Sequence, residues 1–449
     1  MKRKWFTGII VFVAALFIFA SQVASAPNVG ITTRVSVASD GTQANAHTDS
    51  FEISGDGRYV AFATTANNLV SGDTNNTMDV FVHDRQTGQT TRVSVSSGGT
   101  QATQHCEAPD ISADGRYVAF QSAAFQLVPS DTNGYKDIFV HDRQTGNTTR
   151  VSVSSLGTQA NGGSGYPALS ADGRFVAFSS WAANLVPFDL NARTDIFVHD
   201  RQTGETTLVS VASDGTQGNG DSIVPMISGD GRYVTFYSTA TNLVTGDTNS
   251  AGDIFLHDRQ TGQTTRVSIA SNGAQGNFGA DARHAISADG RYIAFESFSS
   301  NLVSDDTNNA QDIFVHDRVT GQTTRVSVAS DGTQQNRDAY ACAISGDGRY
   351  VAFDSYAFNL VSGDTNDVPD IFVHDRQTGQ TTRVSVASDG TPGNLDSAGA
   401  SISDDGRYVA FSSWANNLVS GDTNNFYDIF VHDRGGTTSY RIYLPLILR

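Results

Sequence analysis

Cysteine is almost absent: Cys106 and Cys342 are the only two in a chain of 449 residues. None precedes Cys106, which excludes a lipoprotein anchor, and there is no Cys/His cluster of metal-binding spacing. The Gly-x-Ser-x-Gly elbow of hydrolases and the Gly-rich phosphate loop are missing as well. The chain therefore carries no recognisable hydrolase or nucleotide-binding module. Positive charge is scarce too. Against 46 Asp and Glu stand 29 Lys and Arg, a net charge of -17, and such a surface repels phosphate backbones. Nucleic acid is not an expected partner, whereas cations, basic peptides and neutral glycans are.

What the chain does have is repetition, the first thing to look for in any sequence. Asp-Gly-Arg begins at Asp56, Asp114, Asp172, Asp230, Asp289, Asp347 and Asp405, and His-Asp-Arg at His83, His141, His199, His257, His316, His374 and His432. Both series step by 58 residues with one step of 59. In the first unit, strand A ends at Ile53-Ser54, strand B is Arg58 to Thr64, strand C is Asp79 to Asp84 and strand D is Thr90 to Val95. Gly55-Asp56-Gly57 and Gln86-Thr87-Gly88-Gln89 supply the hairpin turns between A and B and between C and D. Val, Phe, Tyr and Thr dominate the strands, and no segment of the unit has a helical period. Seven units of four antiparallel strands predict an all-β chain, a seven-bladed β-propeller.

The SxDGRYVAF and DIFVHDRQTG segments resemble the PD40 or TolB-like repeat, a WD40-like β-propeller repeat of bacterial envelope and secreted proteins. Its usual form is close to SPDG-x-x-IAF followed by D-I-Y-V. The resemblance covers residues 31 to 434; this chain departs from it in lacking Pro before the Asp-Gly turn and in a longer B to C connection. It implies a protein or peptide partner bound at the mouth of the central channel. Some TolB-like propellers are polysaccharide lyases, so a carbohydrate-binding or lyase activity is the alternative that it implies.

The two ends are read separately. Lys2, Arg3 and Lys4, the apolar run Trp5 to Ala20 and the small residues Ala24-Ser25-Ala26 mark residues 1–26 as a signal peptide. Its removal takes the net charge from -17 to -20 and sends the propeller, residues 27–434, to the periplasm, the cell surface or the medium. The tail, residues 435–449, ends in YLPLILR, too short to span a membrane. Ile31 to Val37, ITTRVSV, is a strand D with no blade in front of it, while the seventh unit stops after strand C. The N-terminal strand is therefore expected to complete blade seven and close the ring, in preference to the tail from Thr437. Cys342 falls within strand A of blade six and Cys106 just before strand A of blade two. Facing one another across the channel, the two are expected to stay free thiols, beyond the ~7 Å reach of a disulfide.

Where the repeats agree, stacking is the expected reason. In DIFVHDR the Ile and Val side chains take one face and Phe and His the other, both buried against neighbouring blades. The sevenfold His-Asp pair is read as structural, since an active site is normally made once. The element Asp-x-Asn-x-x-x-Asp also recurs: Asp73/Asn75/Asp79, Asp131/Asn133/Asp137, Asp189/Asn191/Asp195, Asp247/Asn249/Asp253, Asp306/Asn308/Asp312, Asp364/Asn366/Asp370 and Asp422/Asn424/Asp428. Three oxygen donors in such a loop are candidate Ca²⁺ ligands. The favoured reading is an Asx-turn whose last Asp pairs with a recurrent Arg at the start of strand C, and no cofactor is required.

Where the repeats differ, function is expected. The D to A loops read NAHTDSFE, TQHCEAPD, NGGSGYPA, NGDSIVPM, NFGADARHA, NRDAYACA and NLDSAGAS, and the 59-residue step falls in the fifth. With the B to C loops they form one rim, the candidate binding face. On it Glu52 and Asp110, at equivalent positions of adjacent strands A, are a candidate general acid-base pair, with a solvated channel lining as the blander reading. Trp181, Phe298, Tyr356 and Trp414 end strand B in four blades, where Thr65, Ala123 and Thr239 stand in the others. They are candidates for stacking on a ligand, although packing between blades is slightly favoured. His47, His105, Arg283, His284, Arg337 and Tyr340, each peculiar to one blade, complete the candidate contacts. The expected function is that of an exported, non-enzymatic scaffold, with a calcium-stabilised surface or matrix component as a third reading.

Overall fold

The computed structural model describes residues 30–435. The expected signal segment and the tail from Thr437 lie outside the described residues. Each unit folds as an antiparallel sheet in the order A-B-C-D, in blade one Thr48–Ile53, Tyr59–Thr64, Asp79–Asp84 and Gln89–Arg92. Seven such sheets make a seven-bladed β-propeller. Strand D is shorter than its RVSV signature predicts. After Arg92 the chain turns off the sheet, and Val95 forms an isolated bridge with Gln101, a feature repeated in every unit.

Ile31–Arg34 pairs antiparallel with strand C of blade seven, Asp428–Asp433, in the register Arg34 to Phe430. The N-terminal strand thus supplies the last strand of the ring, and the seam has no open edge. The core lies between blades. Strand C of blade one sends Val80 and Val82 toward blade two, where they meet Val118 and Phe120, and Phe81 toward blade seven, where it meets Ile429 and Val431. Within a blade the strand B and strand C phenylalanines stack, Phe62 on Phe81 at 5.9 Å between ring centroids.

The rim made by the A to B and C to D turns is a repeated lattice. Arg58 donates from Nε and Nη2 to the two oxygens of Asp84 at 2.9 and 2.7 Å. Its guanidinium also covers the Tyr59 ring at 4.7 Å, while Arg143 of the next blade covers the other face at 4.3 Å. Gly115 closes in on the same ring: its φ is +70° and an added Cβ would collide with Tyr59. The His-Asp pair is divided between two tasks. His83 Nδ1 pairs with Thr90 Oγ1 at 2.9 Å, and Asp84 holds Arg58. Beneath this lattice, backbone hydrogen bonds pass from blade to blade around the channel. Ala113 N donates to Ala171 O at 3.0 Å, and the series ends with Asp404 N to Gly55 O at 2.9 Å and Asp56 N to Ala113 O at 3.1 Å. Gly55 and Gly346 flank the Asp404 carboxylate, which takes the space a side chain would need at either.

Both cysteines are free and buried. Their placement needs one correction. Cys342 lines the channel, but Cys106 is the first residue of strand A of blade two and sits in the core between blades one and two.

Candidate functional site

The Asp-x-Asn loops are turns closed by a guanidinium. In blade one Asn75 Oδ1 accepts Thr77 N at 3.2 Å, and its Nδ2 donates to Asp79 Oδ2 at 2.7 Å. Asn133, Asn191, Asn249, Asn308, Asn366 and Asn424 likewise donate from Nδ2 to Asp137, Asp195, Asp253, Asp312, Asp370 and Asp428, at 2.7 to 3.3 Å. Between the two carboxylates of blade one lies Arg92 Nη1, 3.2 Å from Asp73 Oδ1 and 3.4 Å from Asp79 Oδ2. The arginine comes from strand D, not from the start of strand C as expected. Arg150 bridges Asp131 and Asp137 in the same way, Arg266 bridges Asp247 and Asp253, and Arg325 bridges Asp306 and Asp312. Arg383 does so for Asp364 and Asp370, and Arg34 for Asp422 and Asp428.

These contacts correct the candidate Ca²⁺ ligands of six loops. The place between the carboxylates, Asp247 and Asp253 or Asp364 and Asp370 for example, is held by the chain's own cation. In all seven loops, from Asn75 to Asn424 and including Asn191, the Asn turns an amide N–H toward the last Asp, so that nitrogen is a donor and not a metal ligand. The loop of blade three, Asp189/Asn191/Asp195, has no such arginine.

Glu52 and Asp110 both line the channel, as their equivalent positions imply. Each is tied to a neighbouring blade. Glu52 Oε1 accepts Ser401 Oγ of blade seven at 2.5 Å, and Asp110 accepts the backbone N of Leu169 of blade three at 2.5 Å and its neighbour Ile111 N at 2.8 Å. Burial first, and then the charge of Asp110, raise Glu52 above the ordinary carboxyl range, and burial raises Asp110. Held in this way the pair staples strands A together around the channel. With Asp404 it makes the channel wall acidic.

The opposite rim is another kind of surface. Its strand B aromatics do not pack between blades as expected: Trp181 is 69%, Phe298 49%, Tyr356 45% and Trp414 43% exposed. Phe125, Tyr135, Tyr166, Phe188, Phe278 and Phe358 join them, and every exposed aromatic among the described residues lies on this rim. Several expected contacts turn out to be braces. His47 Nδ1 accepts Tyr427 N at 3.0 Å, with its ring edge-on to Phe426, and His105 Nδ1 accepts Met78 N at 2.9 Å. Each ties a D to A loop to the preceding B to C loop. Arg337 pairs with Asp367 at 2.8 Å and covers Phe358, and Tyr340 donates to Asp338 at 3.1 Å. Arg283 is exposed. His284 is corrected outright: it is buried, with Nδ1 beside Ala282 O at 2.9 Å, and burial pushes it down to about 4.

On this rim a cleft of about 790 Å³ lies between blades four and five. Ile223, Tyr237, Phe278 and Phe298 form its apolar walls, and Asp281, Asn309 and Gln311 its polar points. Glycine opens it. The residue before strand C is Met78, Lys136, Thr194, Gln311, Pro369 or Tyr427 in the other blades, but Gly252 in blade four, where Tyr237 takes the space a side chain would fill. Behind the cleft Glu296 is fully buried, accepts Gln311 Nε2 at 3.0 Å and Ala341 N at 2.5 Å, and is pushed up to about 8 by burial and then by the charge of Asp281. None of Tyr237, Phe278, Asp281, Glu296 or Gln311 was among the sequence candidates. The 59-residue step and the lone glycine before strand C were the signals available.

Known proteins resemble the chain in fold. The oligogalacturonate lyase of Vibrio parahaemolyticus superposes with a TM-score of 0.54 at 13% identity, over 90% of this chain and 93% of that one. An oligogalacturonate lyase in complex with manganese gives 0.54 at 14%, over 90% and 92%. The β-propeller domain of the Trilobed protease from Pyrococcus furiosus gives 0.50 at 11%, over 88% and 99%. By its repeats and its fold, this is a seven-bladed β-propeller. No protein-family model and no curated protein matches the sequence. At such identities the likeness concerns architecture, and site chemistry has to be argued from this chain's own residues. Among the described residues, no group of three or more His, Cys, Asp or Glu side chains is placed to hold a metal ion. No helix among them is long and apolar enough to cross a membrane.

Proposed function

We propose that the chain is an exported binding scaffold whose variable rim captures a polypeptide partner in the envelope or outside the cell. The anchor site is the cleft between blades four and five, and the cleft is the observation that carries the reading. It combines apolar walls with a few convergent polar groups, the usual make-up of a recognition pocket. Asp281 and the acidic surface favour a basic segment with an apolar anchor. Confinement of the exposed aromatics to this rim supports the same face, since aromatic anchors dominate protein interfaces. Export rests on the basic, then apolar, N-terminal segment.

A neutral glycan is the second reading, favoured by Phe298 and Phe278 standing beside Asp281 and Asn309, rings for stacking next to groups that bond hydroxyls. The neighbours of the same fold include oligogalacturonate lyases. A polyanionic substrate would meet Asp110 and Asp404 in the channel and be repelled.

The test is to pan a random peptide library on the mature chain. Enriched peptides should carry Lys or Arg beside an apolar residue. They should bind Phe298→Ala and Phe278→Ala at least ~10-fold more weakly and Arg116→Ala, on the opposite rim, unchanged. Enrichment that ignores the two phenylalanines would overturn the reading. Retention of neutral oligosaccharides on a glycan array, lost in Phe298→Ala, would put the second in its place.

A further inference from the structure

Blade three keeps the acidic loop but has lost its cation. Its carboxylates are Asp189 and Asp195, and the register that places Arg92 opposite Phe81 in blade one places Leu208 opposite Phe197 here. Leu208 packs against the apolar cluster between blades two and three, and strand D, Thr206–Leu208, is one residue shorter than in the other blades. Two positions beside Asp189 change as well, to the exposed Phe188 and Leu190.

Both acids stay buried. Asp195 is fully covered, with Oδ1 accepting Ser210 Oγ at 2.6 Å and Oδ2 accepting Asn191 Nδ2 at 2.7 Å. Asp189 is 8% exposed and has no side-chain partner among the described residues; only the backbone N–H of Asn191 is turned toward it. Asp221, which accepts Thr194 N at 3.0 Å, adds a third negative charge near Asp195. Two buried carboxylates facing each other without a counter-charge are costly, and a cation resolves the cost. The other six blades show where it sits, because a guanidinium nitrogen lies within 3.0 to 3.2 Å of the first carboxylate and 2.9 to 3.4 Å of the last.

We propose that blade three binds one divalent, oxygen-preferring cation of the Ca²⁺ class between Asp189 and Asp195, in the place the arginine holds elsewhere. Two carboxylates match its double charge, and water completes the ~6 to 8 oxygens such an ion takes. With so few protein ligands the affinity belongs to the weak, extracellular range, ~10⁻⁴ to 10⁻³ M. The site does not depend on the cleft or on its ligand.

The experiment is calorimetric titration of the mature chain with CaCl₂, paired with thermal melts in EDTA and in millimolar Ca²⁺. One ion should bind per chain, and the melting temperature should rise by about 1–2 °C. Leu208→Arg should abolish binding and make the melt insensitive to EDTA. Asp189→Asn should abolish binding without restoring the internal cation, and it decides the matter should Leu208→Arg misfold. Absence of binding in the wild type, a stoichiometry near seven, or an ion retained by either variant would overturn the proposal.

Discussion

On the rim of the A to B and C to D turns, Tyr59 lies between Arg58 and Arg143 with Gly115 against its ring, and the same group is built seven times with Phe175 as the one variation. On the opposite rim the corresponding positions are Thr65, Ala123, Trp181, Thr239, Phe298, Tyr356 and Trp414. Both rims are cut from the same repeats, so the difference lies in what each must satisfy. A side chain on the first rim contacts the next blade, and a change in one blade disturbs two. A loop on the second is braced at its base, as His105 braces Met78, and is free at its tip. Stability is thus concentrated on one rim, and the other is left to diversify.

Substitutions that strike one rim and spare the other sharpen this contrast. The largest effect is expected from Gly115→Ala, which meets both a positive φ and the Tyr59 ring. It should cost about 3 kcal/mol or more in denaturant unfolding, with no loss of peptide binding in the protein that remains folded.

Acid comes next. Burial lowers His83 to about 4 from an ordinary value of 6.5. Its unfolded form therefore takes up a proton first, and the stability from the neutral ring is complete above pH 6.5 and lost as the pH falls through about 4. The stability difference between wild type and His83→Asn should shrink by roughly 2–3 kcal/mol between pH 7 and pH 4. Comparison with the variant is needed because buried acids such as Asp312, raised to about 6 mainly by burial, oppose the trend.

Phe278→Ala with Phe298→Ala should do the reverse of Gly115→Ala: unfolding within ~0.5 kcal/mol of wild type, as for exposed positions, and peptide affinity down at least ~10-fold. The smallest effect is that of Arg116→Ala. Its side chain is 35% exposed, so solvent screening leaves only a small loss of stability, with binding unchanged.

The blades, their strands and the closing role of Ile31–Arg34 were legible because they rest on spacing and on the period of two along a strand. What was not legible depended on partners far along the chain or on a broken period. Arg92 reaches Asp73 and Asp79 only because strand D lies beside strand C, which spacing alone does not show. Strand A carries a register shift in every blade, between Glu107 and Asp110 in blade two and between Ala280 and His284 in blade five. Past such a bulge the alternation of faces no longer holds, and His284 turns inward where simple counting leaves it on the rim. Trp181 and its equivalents sit one residue beyond strand B, where sequence does not tell an exposed ring from a packed one. The cleft escaped notice because its Tyr237 wall depends on an absence, the missing side chain of Gly252, and not on a motif.

The most direct test of a division between a bracing rim and a binding rim is hydrogen exchange on residues 27–449, with and without the tightest peptide from the library. Slowed exchange confined to segments 278–282 and 297–311, which line the cleft, is the predicted result. Slowing centred on the Asp-Gly-Arg and His-Asp-Arg turns would place the ligand on the bracing rim and contradict the account.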